Sequence, residues 1–335
     1  MKIGIVGAGL IGQKRATALG RNHQLVAVAD IDRGRAEKLA GDYAGCVAFE
    51  DWRQLIDFPG LELVIVATTN DMLTPVSLGA VLNDKHVLVE KPAARNAAEL
   101  RELVEAARGR KGLVKVGFNH RFHPAFQKAR QIWDSGEPGP LMYIRGRYGH
   151  GGRLGYEKEW RSIPEIAGGG ELLDQGVHLL DLSRWFAGEF PSVTGHIGTY
   201  FWNMPVEDNG FLMLKTAEQQ MAWLHVSCTE WKNLFSFEIF GRDAKLQIDG
   251  LGGSYGPERL TYYKMLPEMG PPETTAWEYP GEDNSWIAEF NYFSECIREG
   301  RQPEGNLHDA LAALEIIETI YAANLNPSLE KGRER

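Results

Sequence analysis

Lys2-Ile3-Gly4-Ile5-Val6-Gly7-Ala8-Gly9-Leu10-Ile11-Gly12 opens the chain as a short apolar run that breaks into glycines spaced G-x-G-x-x-G. Where a strand turns into a helix, each of these glycines has its own use. Gly7 permits the tight turn, Gly9 lets the backbone approach a pyrophosphate, and Gly12 lets the helix pack closely on its strand. The helix that follows offers unpaired N–H groups, beginning at Leu10 and Ile11, and a partial positive charge to phosphate. The pattern is informative because of its context: it needs a buried strand before it and a helix after it.

Both conditions hold outward from this point. Apolar runs at Ile3–Val6, Leu25–Ala29, Leu63–Ala67, His86–Val89 and Leu113–Phe118 lack polar alternation, as expected of strands covered on both faces. Helical spacing fills the intervals at Lys14–Leu19, Arg33–Ala40, Pro75–Leu82 and Ala97–Arg108. Strand alternating with helix predicts parallel βαβ units. The second run ends in Asp30, eighteen residues beyond Gly12, near the spacing of a carboxylate that binds the adenosine ribose. Such a carboxylate repels a 2′-phosphate, so NAD is expected, with NADP possible. Arg33 and Arg35 argue the other way, since either can meet a 2′-phosphate or stack on adenine. Ile31 and Arg35 join Asp30 as cofactor candidates.

The chain has 335 residues, 43% of them hydrophobic and 24% charged. That supports a packed protein, and the length favours two domains. The net charge of −9 lacks the basic footprint that nucleic-acid binding requires. Cys46, Cys228 and Cys296 are dispersed and odd in number. They read as free thiols in a reducing compartment. The apolar start is too short to span a membrane and is followed by Gln13-Lys14-Arg15 in place of a cleavage site, so a cytoplasmic protein without membrane partners is expected.

Two further motifs bear on chemistry. Val87-Leu88-Val89-Glu90-Lys91-Pro92 puts an ion pair and a proline at the end of an interior strand, where open parallel sheets hold ligands. Gly168-Gly169-Gly170-Glu171-Leu172-Leu173-Asp174-Gln175-Gly176-Val177-His178 is a glycine-rich entry into an amphipathic helix. Asp174 and His178, four apart, share one helical face, and a carboxylate one turn from an imidazole can orient it as a general base. Leu172, Leu173, Val177, Leu180 and Trp185 can face a core.

Together these pieces resemble the Gfo/Idh/MocA family, the glucose–fructose oxidoreductase and inositol 2-dehydrogenase group. The resemblance rests on Gly7–Gly12, Asp30, Thr68-Thr69-Asn70, Glu90-Lys91-Pro92, Val116-Gly117-Phe118-Asn119-His120-Arg121-Phe122 and Gly170…Asp174…His178, in that order. It implies a Rossmann domain, here 1–120, followed by an α+β domain with a large, mostly antiparallel sheet, here 121–335. It further implies Lys91, Asp174 and His178 as catalytic residues. Thr68, Thr69, Asn70, Glu90 and Lys91 are implied near the cofactor, and Asn119 and Arg121 near the substrate. Thr69 and Leu73 depart from the proline and histidine often found in the family, which bears on cofactor pose. A homodimer or homotetramer through the C-terminal sheet is also implied.

In the second half, strand-like alternation appears at Met142–Arg147, Ser192–Thr199, Asn209–Lys215, Gln220–Cys228, Phe235–Phe240 and Lys245–Asp249, as an antiparallel sheet requires. A helix is predicted over Leu307–Ala323 and a frayed tail over Ser328–Arg335. The segment Arg147–Arg161 mixes glycine, aromatic and basic residues and reads as a substrate loop: Tyr156 and Trp160 offer flat faces, while Arg153 and Arg161 offer forked donors. Glu230-Trp231-Lys232-Asn233 is a further substrate-facing candidate. His120, His123 and His150 lack clustered acidic or cysteine partners in sequence, and no metal site is expected. The expected activity is hydride transfer between a nicotinamide and a secondary alcohol or ketone carbon of a sugar, inositol or nucleotide-sugar. The alternatives are an NAD-dependent glycoside hydrolase working by transient oxidation and a non-catalytic cofactor sensor.

Overall fold

A computed structural model describes residues 1–324, and the tail predicted over Ser328–Arg335 lies outside the described residues. The chain divides into two compact units. The first holds Met1–Phe122, Glu165–Gly168 and Asn284–Ala312, and the second holds His123–Pro164, Gly169–Asp283 and the chain from Ala313.

Six parallel strands build the first unit: β1 (Lys2–Val6), β2 (Gln24–Ala29), β3 (Val47–Phe49), β4 (Leu63–Val66), β5 (His86–Val89) and β6 (Val114–Val116). Their order is β3-β2-β1-β4-β5-β6. The order reverses between β1 and β4, the switch point at which such sheets bind ligands outside their carboxyl ends. Val, Ile and Leu on both strand faces explain the burial: Ile3, Ile5, Val28, Leu63, Ile65 and Leu88 share one core with Phe290, Phe293 and Cys296 of the helix Ser285–Glu299.

The sequence reading omitted β3, the helix Trp52–Ile56 and the helix Ser285–Glu299. β3 and Trp52–Ile56 are too short to show a period. The fourth helix starts at Asn70, after Thr69, whose side chain makes no capping bond, and has Pro75 inside it; proline in the second turn misled the reading toward a start at Pro75.

The second unit carries β7 (Leu141–Gly149), β8 (Ser192–Gly198), β9 (Asn209–Lys215), β10 (Met221–Ser227), β11 (Leu234–Gly241), β12 (Ala244–Asp249), β13 (Glu258–Lys264) and β14 (Glu273–Tyr279). They form one sheet in the order β14-β13-β12-β11-β7-β10-β9-β8. Every pairing is antiparallel except β7 with β10. β13 and β14 and the helix Pro124–Asp134 were not anticipated. One sheet face is covered by helices: Phe126 and Phe186 pack on Phe237, and Leu179 approaches Gly146. Phe186, at 7% exposure, fills the place expected of Trp185, which is only half-buried. The opposite face stays open, with Met142, Tyr143, Met213 and Trp223 exposed. Among the described residues, no helix is long and apolar enough to cross a membrane.

Candidate active site

In the first unit the glycine loop has the shape its spacing demands. Gly7 has φ +97°, and a Cβ there would fall 2.3 Å from the Ala67 carbonyl oxygen. A Cβ on Gly12 would lie 1.8 Å from the Gly7 carbonyl oxygen. Gly9 differs, because a Cβ there would meet no protein atom within 4 Å. The space in front of Gly9 is therefore open. The helix Leu10–Thr17 begins there without a side-chain cap or an acidic residue in its first turn. Open space before uncapped N–H groups is what a pyrophosphate requires.

Asp30 closes the second side of this loop. Its Oδ2 accepts the Ala8 N–H at 2.7 Å and its Oδ1 the Asp32 N–H at 2.8 Å. Each oxygen keeps capacity for a ribose hydroxyl. Asp32, not Asp30, caps the following helix, accepting from the Arg35 N–H. A cleft of about 770 Å³ opens beside Asp30, lined by Ile31, Arg33, Phe49, Glu50, Asp51 and Met72 among others. Ile31 is 91% exposed and Leu10 70%, two apolar side chains left where an adenosine could cover them. Arg33 pairs with Glu37 at 2.8 Å and Arg35 with Asp32 at 3.2 Å, so both arginines already have carboxylates beside them. These residues fit a dinucleotide.

Farther along the sheet edge, the Thr69 hydroxyl donates to Asp71 at 2.6 Å and the Thr68 hydroxyl to the Thr69 carbonyl. Asn70 is buried and donates to the Ala167 carbonyl at 2.8 Å. Lys91 is half-buried and is followed by Pro92 through a cis peptide.

Its neighbour Glu90, expected near the cofactor, has one oxygen engaged by a buried arginine. It is 7% exposed, and its Oε1 accepts from Arg15 Nε at 2.6 Å. Arg15 also meets Glu289 at 2.6 Å, and Glu289 meets Lys115 at 3.0 Å. Burial pushes the Glu90 carboxyl up, against the pull of Arg15. Burial also opposes the charge of Arg15, but Glu90 and Glu289 outweigh it and raise its pKa. Gly117 is glycine because a Cβ there would sit 2.7 Å from Arg15 Nη2 and 3.0 Å from Glu90 Oε2.

Asn119 and Arg121, expected at the substrate, are 5% and 4% exposed. Asn119 donates to Ser285 Oγ at 2.9 Å, and Arg121 lies 3.4 Å from Asp309. Both fasten the late helices of this unit.

In the second unit a wide π-type turn, Leu172–Gly176, leads into the helix Val177–Ala187. Asp174 lies in that turn and His178, 5% exposed, in the first turn of the helix. Arg161 Nε donates to Asp174 Oδ2 at 3.0 Å. Burial opposes the Arg161 charge, and Asp174 leads the carboxylates that restore it. Arg161 stacks over Trp160, and Arg153 bonds Glu159 at 2.7 Å. Tyr156, expected as an open face, is 5% exposed and packs edge-on against His150. Its ring belongs to the wall.

Beside His178 stands Tyr148, ring centroids 6.2 Å apart, with Tyr255 against Tyr148 at 5.4 Å. Burial pushes the Tyr255 hydroxyl up to about 12. His150 Nε2 lies 3.6 Å from the buried Glu171. Burial works against the His150 charge, yet Glu171 holds its pKa above the usual imidazole value. The Gly152 N–H donates to His150 Nδ1, which assigns the ring proton to Nε2, toward Glu171, when the ring is neutral.

Reading the sequence missed Tyr148, Tyr255, Glu171 and the Arg15–Glu289 network as site-building residues. Tyr148 was visible as an aromatic near the end of β7, two residues before His150.

Taken alone, the fold and loop define a dinucleotide-binding protein with an acid–imidazole helix in its second unit. Comparison with known proteins extends this. The profile of the oxidoreductase family with an NAD-binding Rossmann fold matches residues 1–118, and that of the GFO/IDH/MocA C-terminal domain matches 126–247. Trans-1,2-dihydrobenzene-1,2-diol dehydrogenase of Mus musculus is 30% identical over 335 residues, 96% of each chain. Levoglucosan dehydrogenase of Pseudarthrobacter phenanthrenivorans is 28% identical over 222 residues, 63% of this chain and 57% of that protein. A levoglucosan dehydrogenase structure in complex with NADH and levoglucosan shares the fold, with a TM-score of 0.86 over 96% of both chains at 21% identity. The chain belongs to the Gfo/Idh/MocA family and is an NAD-binding oxidoreductase of the dehydrogenase type.

Proposed function

We propose that this protein oxidises a secondary hydroxyl of a sugar, inositol or nucleotide-linked sugar, or reduces the matching ketone, and prefers NAD to NADP. Residues 1–120, with the late segment Asn284–Ala312 that belongs to the same unit, serve the cofactor, and the remainder of 121–335 serves the substrate. The observation that carries the reading is His178, a buried imidazole one turn beyond Asp174, in a dehydrogenase family. Bound NAD supplies the hydride acceptor. His178 takes the hydroxyl proton, Asp174 with Arg161 fixes the local charge, and Lys91 stabilises the developing alkoxide. Glu90, held by Arg15, places a carboxyl next to Lys91 at the cofactor end of the sheet. Arg161, Trp160 and Arg153 remain the loop residues that meet the substrate. Asp30 and the carboxylates beside Arg33 and Arg35 support NAD.

The test follows reduced-cofactor absorbance with NAD or NADP across inositols, aldoses, sugar acids and UDP-sugars. Lys91→Met is expected to lower kcat about 100- to 1000-fold, with NADH affinity within about twofold. Near-normal turnover in the variant would remove Lys91 from the chemistry.

The open sheet face supports pairing with a second copy of the chain. Met213 lies opposite Trp223, which in turn lies beside Arg145. Sedimentation of Trp223→Lys against the parent checks this. The three cysteines are free thiols, in keeping with the cytoplasm.

A further inference from the structure

Glu207 sits two residues before β9 and is 6% exposed. Its Oε1 accepts the N–H groups of Gly170 and Leu172, both at 3.1 Å, and the Tyr321 hydroxyl at 2.7 Å. Its Oε2 shares the Gly170 N–H at 3.1 Å. Its backbone carbonyl takes the amide between them, Glu171, at 3.0 Å. One residue thus gathers three consecutive N–H groups at the entrance to the His178 helix.

The glycines of this entrance follow from that clamp. A Cβ on Gly170 would lie 2.1 Å from the Glu207 carbonyl oxygen, and one on Gly169 would lie 2.1 Å from the Tyr321 hydroxyl. The next turn hangs from the same point, because the N–H groups of Leu173 and Asp174 both donate to the Gly170 carbonyl, at 3.1 and 3.0 Å. The backbone of Asp174 is therefore one hydrogen bond removed from a peptide unit that Glu207 holds. A carboxyl group receiving several buried donors holds them in fixed directions, and its ionised form at a helix start also meets the favourable end of the dipole.

We propose that Glu207, braced by Tyr321, is a positioning residue for the Asp174–His178 pair: it sets the register of the π-type turn and so the direction of the His178 ring. This deepens the assignment of His178 as proton acceptor and rests on it.

The test uses the full chain with Glu207→Gln, Glu207→Ala and Tyr321→Phe. Four quantities are read: thermal unfolding, NADH affinity, amide hydrogen exchange across 170–180, and the His178 imidazole signal, assigned by its loss in His178→Gln. Turnover is followed with NAD and myo-inositol as probe. Glutamine keeps the shape but loses one acceptor oxygen. Folded Glu207→Gln is expected to exchange amides 170–174 about tenfold faster and to shift the His178 signal. NADH affinity stays within about twofold, and kcat falls about tenfold with KM within about twofold. Tyr321→Phe should do the same about threefold. An unchanged His178 signal and unchanged exchange in folded Glu207→Gln would overturn the proposal. If neither Glu207 variant folds, the same two readings in Tyr321→Phe decide it. Should the parent not turn over myo-inositol or any other polyol while the His178 signal still responds, the proton-acceptor assignment fails and the positioning role stands.

Discussion

Two helices in this molecule begin at glycines, and they treat their first N–H groups in opposite ways. At Gly7–Gly12 the start is left open: no side chain caps it, and the space in front of Gly9 is empty of protein. At Gly168–Gly170 the start is filled by the chain's own carboxyl group, that of Glu207. A glycine run announces that something comes close. Whether that something is a ligand or another part of the protein depends on what lies across from the missing Cβ. The first unit leaves its helix end open; the second has its own occupied by Glu207.

The largest effect separating the two is expected from Gly170→Ala. Its Cβ would collide with backbone at 2.1 Å, and a loss of about 3 kcal/mol in denaturant unfolding is expected from such overpacking. Gly9→Ala is the matched opposite. Gly9 has φ −70°, which alanine adopts freely. Stability should stay within about 0.5 kcal/mol of the parent, while NADH affinity, read by fluorescence titration, falls about tenfold. If Gly9→Ala left NADH affinity untouched, the contrast between the two starts would collapse. Next comes Asp30→Ala, which frees the Ala8 and Asp32 amides. NADH affinity should drop by about 1–2 kcal/mol and NADPH affinity should not.

The smallest effect concerns pH. Burial raises the Glu207 carboxyl from its ordinary 4.5 to about 7, against the bonds from Tyr321 and the amides. Between those two values the unfolded chain has released the proton and the folded chain keeps it. Stability contributed by Glu207 is therefore full at low pH and declines as pH rises through that window. The difference in Tm between the parent and Glu207→Gln, measured from pH 4.5 to 7, should move against the parent as pH rises. A flat difference would mean that the carboxyl titrates normally.

The first start was legible in the sequence because everything that defines it is local: Gly7, Gly9 and Gly12 act within one turn, and Asp30 follows one strand later. Parallel β1, β2, β4 and β5 were legible for the same reason, since two-sided burial leaves unbroken Val and Ile. The second start was legible as a motif, yet its cause was not, because Glu207 lies 37 residues from Gly170. Arg15 meets Glu289 across 274 residues, and nothing near Arg15 tells it from a surface arginine. Asn119 and Arg121 were placed at the substrate by resemblance; their partners Ser285 and Asp309 sit in late helices that the local pattern could not connect to them.

That last span bears on how the protein is born. Synthesis runs from the N-terminal side, so every strand of the parallel sheet leaves the ribosome long before Glu289. Until then the fully buried cations Arg15 and Lys115 lack the carboxylate that both of them contact, and Arg15 keeps only Glu90; removing one partner from a buried ion network is costly. The buried ion network of the nucleotide-binding unit is therefore incomplete while the second sheet is made. It closes only when the helix Ser285–Glu299 arrives, and the part of the chain written first is among the last to be finished.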